Sequence, residues 1–331
     1  MIALTPTLPL PLLITGVAGV PGYNAVAYFG ERYPGQIVGL RQEDNYKLTG
    51  PHIAACNIED RDGLKRLFDQ HQFRAVLNAS GSCKLKNCEL DPKLAWRVNV
   101  EGTQNLLDVI GRAPVRLVHL SIDLVFSGEQ CGDYTEEAPT DPVTVYGKTM
   151  VVGEQLIRQH KPDAAILRIS LPMGVSFNGH AGAIDWIQSR FQKQRPATLY
   201  YDEIRTPTYC CCLNEVCAAV LASRLSGVFH AGGPRRLSLY QIAQIVNRVG
   251  GYDPKHLMGC LRHEAGPMPP RAGNVAMDSS RLSAALGYDP FDPWPLQEEH
   301  VPTHAEWHFE GPRGSPELLA EVLYRNPRAN S

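Results

Sequence analysis

The run Leu12-Leu13-Ile14-Thr15-Gly16-Val17-Ala18-Gly19-Val20-Pro21-Gly22 decides how the rest of the chain is read. Three large apolar residues in succession read as a strand buried on both faces, and glycines follow at once. Glycine lets the backbone turn sharply from strand to helix and approach a ligand closely, while the helix N-terminus beyond it attracts anions. A glycine cluster alone also makes an ordinary tight turn. Here a strand precedes it, a helical pattern follows it and a second strand ends at Arg41, which is the context of a nucleotide-binding βαβ unit.

Working outward, strand-like runs recur at 12–15, 36–41, 53–57, 75–79, 117–121 and 165–169, separated by segments with helical spacing such as Leu64-Leu67-Phe68 and Leu94-Val98. Alternation of this kind predicts an α/β fold: a Rossmann-type, doubly wound parallel sheet with right-handed crossovers and helices on both faces. After Pro172 the character changes, and a smaller C-terminal substrate lobe is expected. The division read from the sequence is a dinucleotide-binding domain at 1–172, a lobe at 173–293 from which part of the chain returns to the first domain, and a polar, loosely docked tail at 294–331. Within the lobe, a helical stretch at 184–191 and an amphipathic helix at 239–249 are expected, with a proline-rich loop at 266–271.

Composition narrows the class of function. Of 331 residues, 44% are hydrophobic and 20% charged, and the formal net charge is −2; nothing here predicts nucleic acid or an anionic membrane as partner. The apolar N-terminus lacks a basic region and is broken by Pro6, Pro9 and Pro11, so it reads neither as a signal peptide nor as a membrane span. A cytoplasmic protein is expected. Its nine cysteines show no paired CxxC spacing, and reduced thiols with no metal are predicted. The Cys210-Cys211-Cys212 run, read as strand, would alternate faces and could not converge on one ion.

Five motifs lie in order along the chain: Thr15 to Gly22; Asn78-Ala79-Ser80; Asn99-Val100-Glu101-Gly102-Thr103; Ser121-Ile122-Asp123-Leu124-Val125-Phe126; and Tyr146-Gly147-Lys148-Thr149. With them the chain resembles the extended short-chain dehydrogenases/reductases, and among these the dTDP-4-dehydrorhamnose reductase-like family. The likeness runs from about Leu12 to Tyr288 and includes Arg205-Thr206-Pro207-Thr208-Tyr209 and Met277-Asp278-Ser279-Ser280-Arg281-Leu282. It implies hydride transfer between NAD(P)H and a keto group on a nucleotide-sugar-like small molecule, Tyr146 handling the carbonyl proton. It also implies a homodimer paired through the helices that flank the tyrosine segment.

Two of the family's catalytic positions are vacated. Relatives carry a lysine four residues after the tyrosine, where i, i+4 spacing puts both on one helix face; this chain has Met150, and Lys148 falls on the opposite side. Relatives carry Ser or Thr where this chain has Ile122, and Ser121 should point to the other face of its strand. An unassisted phenol titrates near pH ~10, and positioned acid–base catalysis is worth roughly 10²–10⁴ in rate. Dinucleotide binding should therefore outlive catalysis. Two functions stay open: a slow reductase, or a catalytically weak or inactive dinucleotide-binding regulatory protein like the regulatory beta subunit of methionine adenosyltransferase.

Candidate coenzyme ligands are Gly16, Gly19, Gly22, Arg41, Asn57, Ile58, Asn78, Ala79, Ser80 and Tyr146. Arg41 stands where NAD-binding chains hold the ribose with a carboxylate; its guanidinium favours a 2′-phosphate and so NADP(H) over NAD(H), unless it is a plain solvated charge. Asn57 reads equally as cap of the helix starting at Glu59 or Asp60. Asn99 reads as a structural hydrogen-bonding residue, and none of the eleven histidines is marked as a base. For the substrate the candidates are Asp123, Asn178 and Arg205, the last as a bidentate diphosphate ligand. His180, Trp186 and Arg190 are weaker, Trp186 reading equally as core.

Overall fold

The computed structural model describes residues 7–130, 132–180, 182–266 and 269–324. Six strands, β1 (Leu12–Ile14), β2 (Ile37–Arg41), β3 (Ile53–Ala55), β4 (Ala75–Asn78), β5 (Arg116–Ile122) and β6 (Ala165–Ile169), form one sheet with a seventh, Gly227–Ala231. The spatial order is Gly227–Ala231, β6, β5, β4, β1, β2, β3, and every pairing is parallel. Parallel strands buried on both faces need continuous apolar runs. The chain supplies them, with Leu12, Leu13, Ile14, Val76, Leu77 and Leu167 all inaccessible to solvent. Because the connections leave β1 in opposite directions, toward β2 on one side and β4 on the other, a crevice opens at the carboxyl ends of β1 and β4.

The helices are α1 (Val20–Arg32), α2 (Arg61–His71), α3 (Leu85–Leu90), α4 (Pro92–Trp96), α5 (Gly102–Ile110), α6 (Val145–His160), α7 (Ala183–Gln192), α8 (Cys210–Leu221), α9 (Leu239–Val249), α10 (Ser280–Leu286) and α11 (Pro316–Leu323). A π-helical turn, Arg97–Glu101, joins α4 to α5. Asp60 caps α2 through Gly63 N, so Asn57 is not its cap. Beyond the sheet, short pairs carry the second lobe: Ala197–Tyr200 with Leu257–Cys260, and Ile204–Arg205 with Leu237–Ser238.

Three expectations need correction. Cys210-Cys211-Cys212 opens α8 and is not a strand, so the faces diverge by helical rotation, with Cys210 and Cys212 buried and Cys211 half-buried. Trp186 is 51% exposed on α7 and does not join the core. Over its described residues, 294–324, the tail is not loosely attached: Trp294, Leu319, Val322 and Leu323 enter the main core beside α9 residues, Trp294 Nε1 donates to the Leu323 carbonyl and Tyr209 Oη to that of Val322. A polar composition hid these few apolar anchors. Residues 267 and 268 of the expected proline-rich loop lie outside the described residues. Among the described residues no helix is long and apolar enough to cross a membrane.

Candidate active site

The glycine turn is the first wall of the crevice. Gly16 adopts φ +67°, and a Cβ there would stand 2.1 Å from the Ala79 carbonyl oxygen; one at Gly22 would stand 2.4 Å from that of Gly16. Backbone therefore packs on backbone, and the turn lies flat on the end of β4. Helix α1 is preceded by Gly19, which offers no side-chain cap, and the helix has Pro21 in its first turn and no acidic residue there. First-turn amides left open at an uncharged, side-chain-free helix start suit a pyrophosphate, so the residues fit a dinucleotide.

Beneath the turn lies a polar line across three adjacent strands. Thr15 Oγ1 donates to Asn78 Oδ1 (2.6 Å), Ser80 N donates to Thr15 Oγ1 (3.2 Å) and to Asn78 Oδ1 (3.3 Å), and Asn78 Nδ2 lies 3.0 Å from His119 Nδ1. Asn78 is 1% exposed. Its side chain faces the sheet interior, so as a direct coenzyme ligand it is withdrawn; Ala79 and Ser80 border the turn itself.

At the ends of β2 and β3, where the adenosine is expected from the sequence, Arg41 Nη1 donates to the carbonyls of Gln42 (2.8 Å) and Glu43 (3.0 Å), and Asn57 Oδ1 accepts from Glu43 N (3.0 Å). Asn57 thus ties the loop after β2 to the end of β3. Ile58 is buried against Gly102, where a Cβ would come within 2.7 Å of it.

The second wall is the start of α6. Thr144 caps it through Gly147 N (3.0 Å), and Gly147 allows the first turn to rest on the Leu124 carbonyl, where a Cβ would approach to 2.1 Å. That seats Tyr146, 8% exposed, in an apolar cluster with Leu124, Phe126, Met150 and Met277. Burial pushes its phenol well above the ordinary range, and Cys83, Asp123 and Cys88 push the same way. No cation is among the groups that shift it. Met150, 3% exposed, fills the place one turn on, while Lys148 is exposed to solvent.

Ile122 is half-buried, and Ser121 turns away to the buried carboxylate of Glu154 (2.5 Å). Glu154 in turn holds Arg168 by two bonds, Nε–Oε1 2.9 Å and Nη2–Oε2 2.7 Å. Asn99, on the π-helical turn, has the structural role expected: Oδ1 accepts from Ser82 N (2.7 Å) and Nδ2 donates to Thr149 Oγ1 (2.8 Å), clamping the loop after β4 to α6 beside Tyr146.

The expected substrate ligands are placed differently from one another. Asp123 is buried, accepts from Ser170 Oγ (2.6 Å) and faces Arg205 Nε at 3.7 Å; burial raises its carboxyl pKa against the lowering by Arg205 and Ser170. Arg205 is 4% exposed and pairs with the buried Glu203 (2.6 Å), which Arg271 also engages. Arg205 Nη1 is buried and has no hydrogen-bond partner among the described residues. A guanidinium already neutralised by two buried carboxylates is not a free diphosphate clamp, and that expectation is corrected; the neutralising residues lie two and eighty-odd positions away and the second was out of view in the sequence. Asn178 is exposed and its Oδ1 accepts from His180 N, while Arg190 donates twice to the Pro196 carbonyl. His180 is exposed.

The residues missed by sequence reasoning are Thr15, Cys83, His119 and Glu203. A lone imidazole inside the apolar run Leu117-Val118-His119-Leu120 was the available signal for His119. No group of three His, Cys, Asp or Glu able to hold a metal ion occurs among the described residues.

Residues 12–302 match the family model of the RmlD substrate binding domain. A dTDP-4-keto-6-deoxy-D-glucose reductase of Streptomyces niveus is 27% identical over 289 residues, covering 85% of this chain and 93% of that protein. The methionine adenosyltransferase 2 subunit beta of Xenopus laevis is 25% identical over 276 residues, covering 82% and 80%. Among solved structures, a dTDP-4-dehydrorhamnose reductase of Bacillus anthracis in complex with NADP superposes with TM-score 0.72 at 17% identity, covering 95% of this chain and 99% of that one.

Proposed function

The chain belongs to the RmlD substrate binding domain family, and from that premise we propose that it is an NADP(H)-binding reductase-family protein of the extended short-chain dehydrogenase/reductase lineage, acting on a keto group of a nucleotide-sugar-like substrate. The observation that carries the reading is the glycine turn seated on Ala79 with the open start of α1, at the crevice where strand order reverses. Both the solved NADP complex and the keto-sugar reductase among the relatives support it. In this reading residues 1–172 hold the coenzyme and 173–293 the substrate.

Gly16, Gly19 and Gly22 would cradle the pyrophosphate, with Ala79 and Ser80 beside it, Asn57 and Ile58 at the adenosine end and Arg41 at the 2′-phosphate. Nη1 of Arg41 is spent on carbonyls, leaving the rest of its fork for the phosphate. When bound, the nicotinamide supplies the hydride.

Tyr146 then serves as the proton donor of the reduction. A phenol held well above its usual pKa rests protonated, the form that gives its proton to a developing alkoxide, and the phenolate needed for the reverse reaction is costly to form. With Met150 and Ile122 in the vacated places, reduction is slow and oxidation of an alcohol slower still. Those two residues also favour the second reading, a dinucleotide-binding regulatory protein without turnover. The reading further includes a homodimer through the face carrying Leu90 and Trp96, 75% and 45% exposed beside α6, and a reducing, cytoplasmic setting for the eight cysteines of the described residues, none of which forms a disulfide.

The test is NADPH oxidation over a panel of nucleotide-linked keto sugars, after coenzyme binding has been measured. Turnover with any member supports the reductase; binding without oxidation selects the regulatory reading.

A further inference from the structure

We propose that His119, which touches neither wall of the crevice, is a positioning residue: its neutral imidazole fixes which way the Asn78 carboxamide faces, and through Asn78 it fixes the glycine turn on the end of β4. The proposal rests on the coenzyme reading of that turn for its consequence, though not for its geometry.

The directions of the bonds follow from one group that can only donate. Ser80 N–H points at both Thr15 Oγ1 (3.2 Å) and Asn78 Oδ1 (3.3 Å), so Asn78 presents its oxygen on that side. Thr15, accepting from Ser80, gives its own proton to the same oxygen (2.6 Å). The amide nitrogen of Asn78 must then face His119, where it donates to Nδ1 (3.0 Å). An imidazole that accepts at Nδ1 carries its proton on Nε2, and Nε2 has no partner among the described residues.

A buried donor without a partner is costly, and an apolar side chain in the middle of β5 would avoid it. What His119 provides in return is the acceptor for Asn78, its registered neighbour on β4. Without that acceptor the buried NH₂ of Asn78 loses its partner on β5, and relieving it by turning the carboxamide over would place an NH₂ group against Ser80 N–H and Thr15. The residues thus freed are the two that bracket the turn: Thr15 immediately precedes Gly16, and Ser80 follows Ala79, on whose carbonyl Gly16 sits. Asparagine suits a test because its Oδ1 occupies the same position along the side chain as imidazole Nδ1.

The experiment compares the full-length protein with His119→Leu, which has no acceptor, with His119→Phe as a bulkier version of the same loss, and with His119→Asn. Amide hydrogen exchange in peptides covering 12–22 and 75–84 is set against peptides from β6, without coenzyme. The apolar variants should exchange at least about tenfold faster in the turn and at the end of β4 than in β6, and His119→Asn should stay close to the parent protein. NADPH affinity, measured below each melting point, should fall about tenfold in the apolar variants and recover in His119→Asn. Exchange that is unchanged, or raised equally in β6, or identical in the apolar and Asn variants, overturns the inference. If the parent protein binds no coenzyme, the proposed function fails while the exchange data still decide this point.

Discussion

Ser121 donates its hydroxyl at 2.5 Å to Oε1 of Glu154, a buried carboxylate two turns along the helix that carries Tyr146. The hydroxyl next to the vacated position at Ile122 is therefore committed to the interior and cannot swing to a substrate carbonyl. Combining Ile122→Thr with Met150→Lys should raise the reduction rate by roughly 10²-fold or more, the low end of what positioned acid–base groups contribute. Steady-state kinetics read the gain. Coenzyme binding by the double variant confirms that it is folded, since a lysine at Met150 enters an apolar cluster. No gain in a folded, coenzyme-binding variant would mean that the pocket as well as the proton machinery has diverged.

Arg41→Ala should separate the two coenzymes. Removing a guanidinium that meets the 2′-phosphate weakens NADPH about tenfold, ~1.4 kcal/mol, and leaves NADH within a factor of about two. Fluorescence titration with both reads the ratio, and an equal loss for both would reduce Arg41 to a loop-bracing residue.

The Glu154–Arg168 pair is buried on both sides, 3% and 4% exposed. Replacing Arg168 by Met strands the carboxylate, which also holds Ser121, and should cost about 3–5 kcal/mol in urea unfolding. A loss under about 1 kcal/mol, typical of exposed pairs, would show that the interior is more hydrated than the packing indicates.

Two buried histidines make stability fall in mild acid. Burial lowers the pKa of His119 to about 4, partly opposed by Glu154, and that of His230 to about 4, with Arg168 adding to the effect. Above an unfolded value near ~6.5 both states are neutral and stability is complete. Between there and about pH 4 the unfolded chain takes up protons that the folded chain refuses, and each group removes about 1.4 kcal/mol per pH unit. Below about 4 the loss levels off. Chemical denaturation at pH 7, 6 and 5 reads the slope, and His119→Asn should flatten it; stability constant from pH 7 to 5 would contradict the burial of these rings.

Much of the frame was legible in the chain. The apolar runs at 12–15 and 75–79 became β1 and β4 within a residue, because parallel strands covered on both faces require such runs and glycine or polar residues bound them. Tyr146, Met150 and Lys148 fell on the helix faces that 3.6-residue periodicity demands. What stayed hidden depended on residues distant in the chain. Arg205 looked free until Glu203, Asp123 and Arg271 were brought around it, and Asn78 looked like a coenzyme ligand until β5 set His119 beside it. Trp294 was lost in a polar tail for the same reason, since its burial is decided by α8, α9 and α11 and not by its neighbours in sequence.

The coenzyme turn is tested most directly by isothermal titration of the purified protein with NADPH. Saturable binding at one site per chain, weakened strongly by Gly16→Val, is the predicted result. No heat with any of the reduced or oxidised coenzymes, from a folded sample, would contradict it.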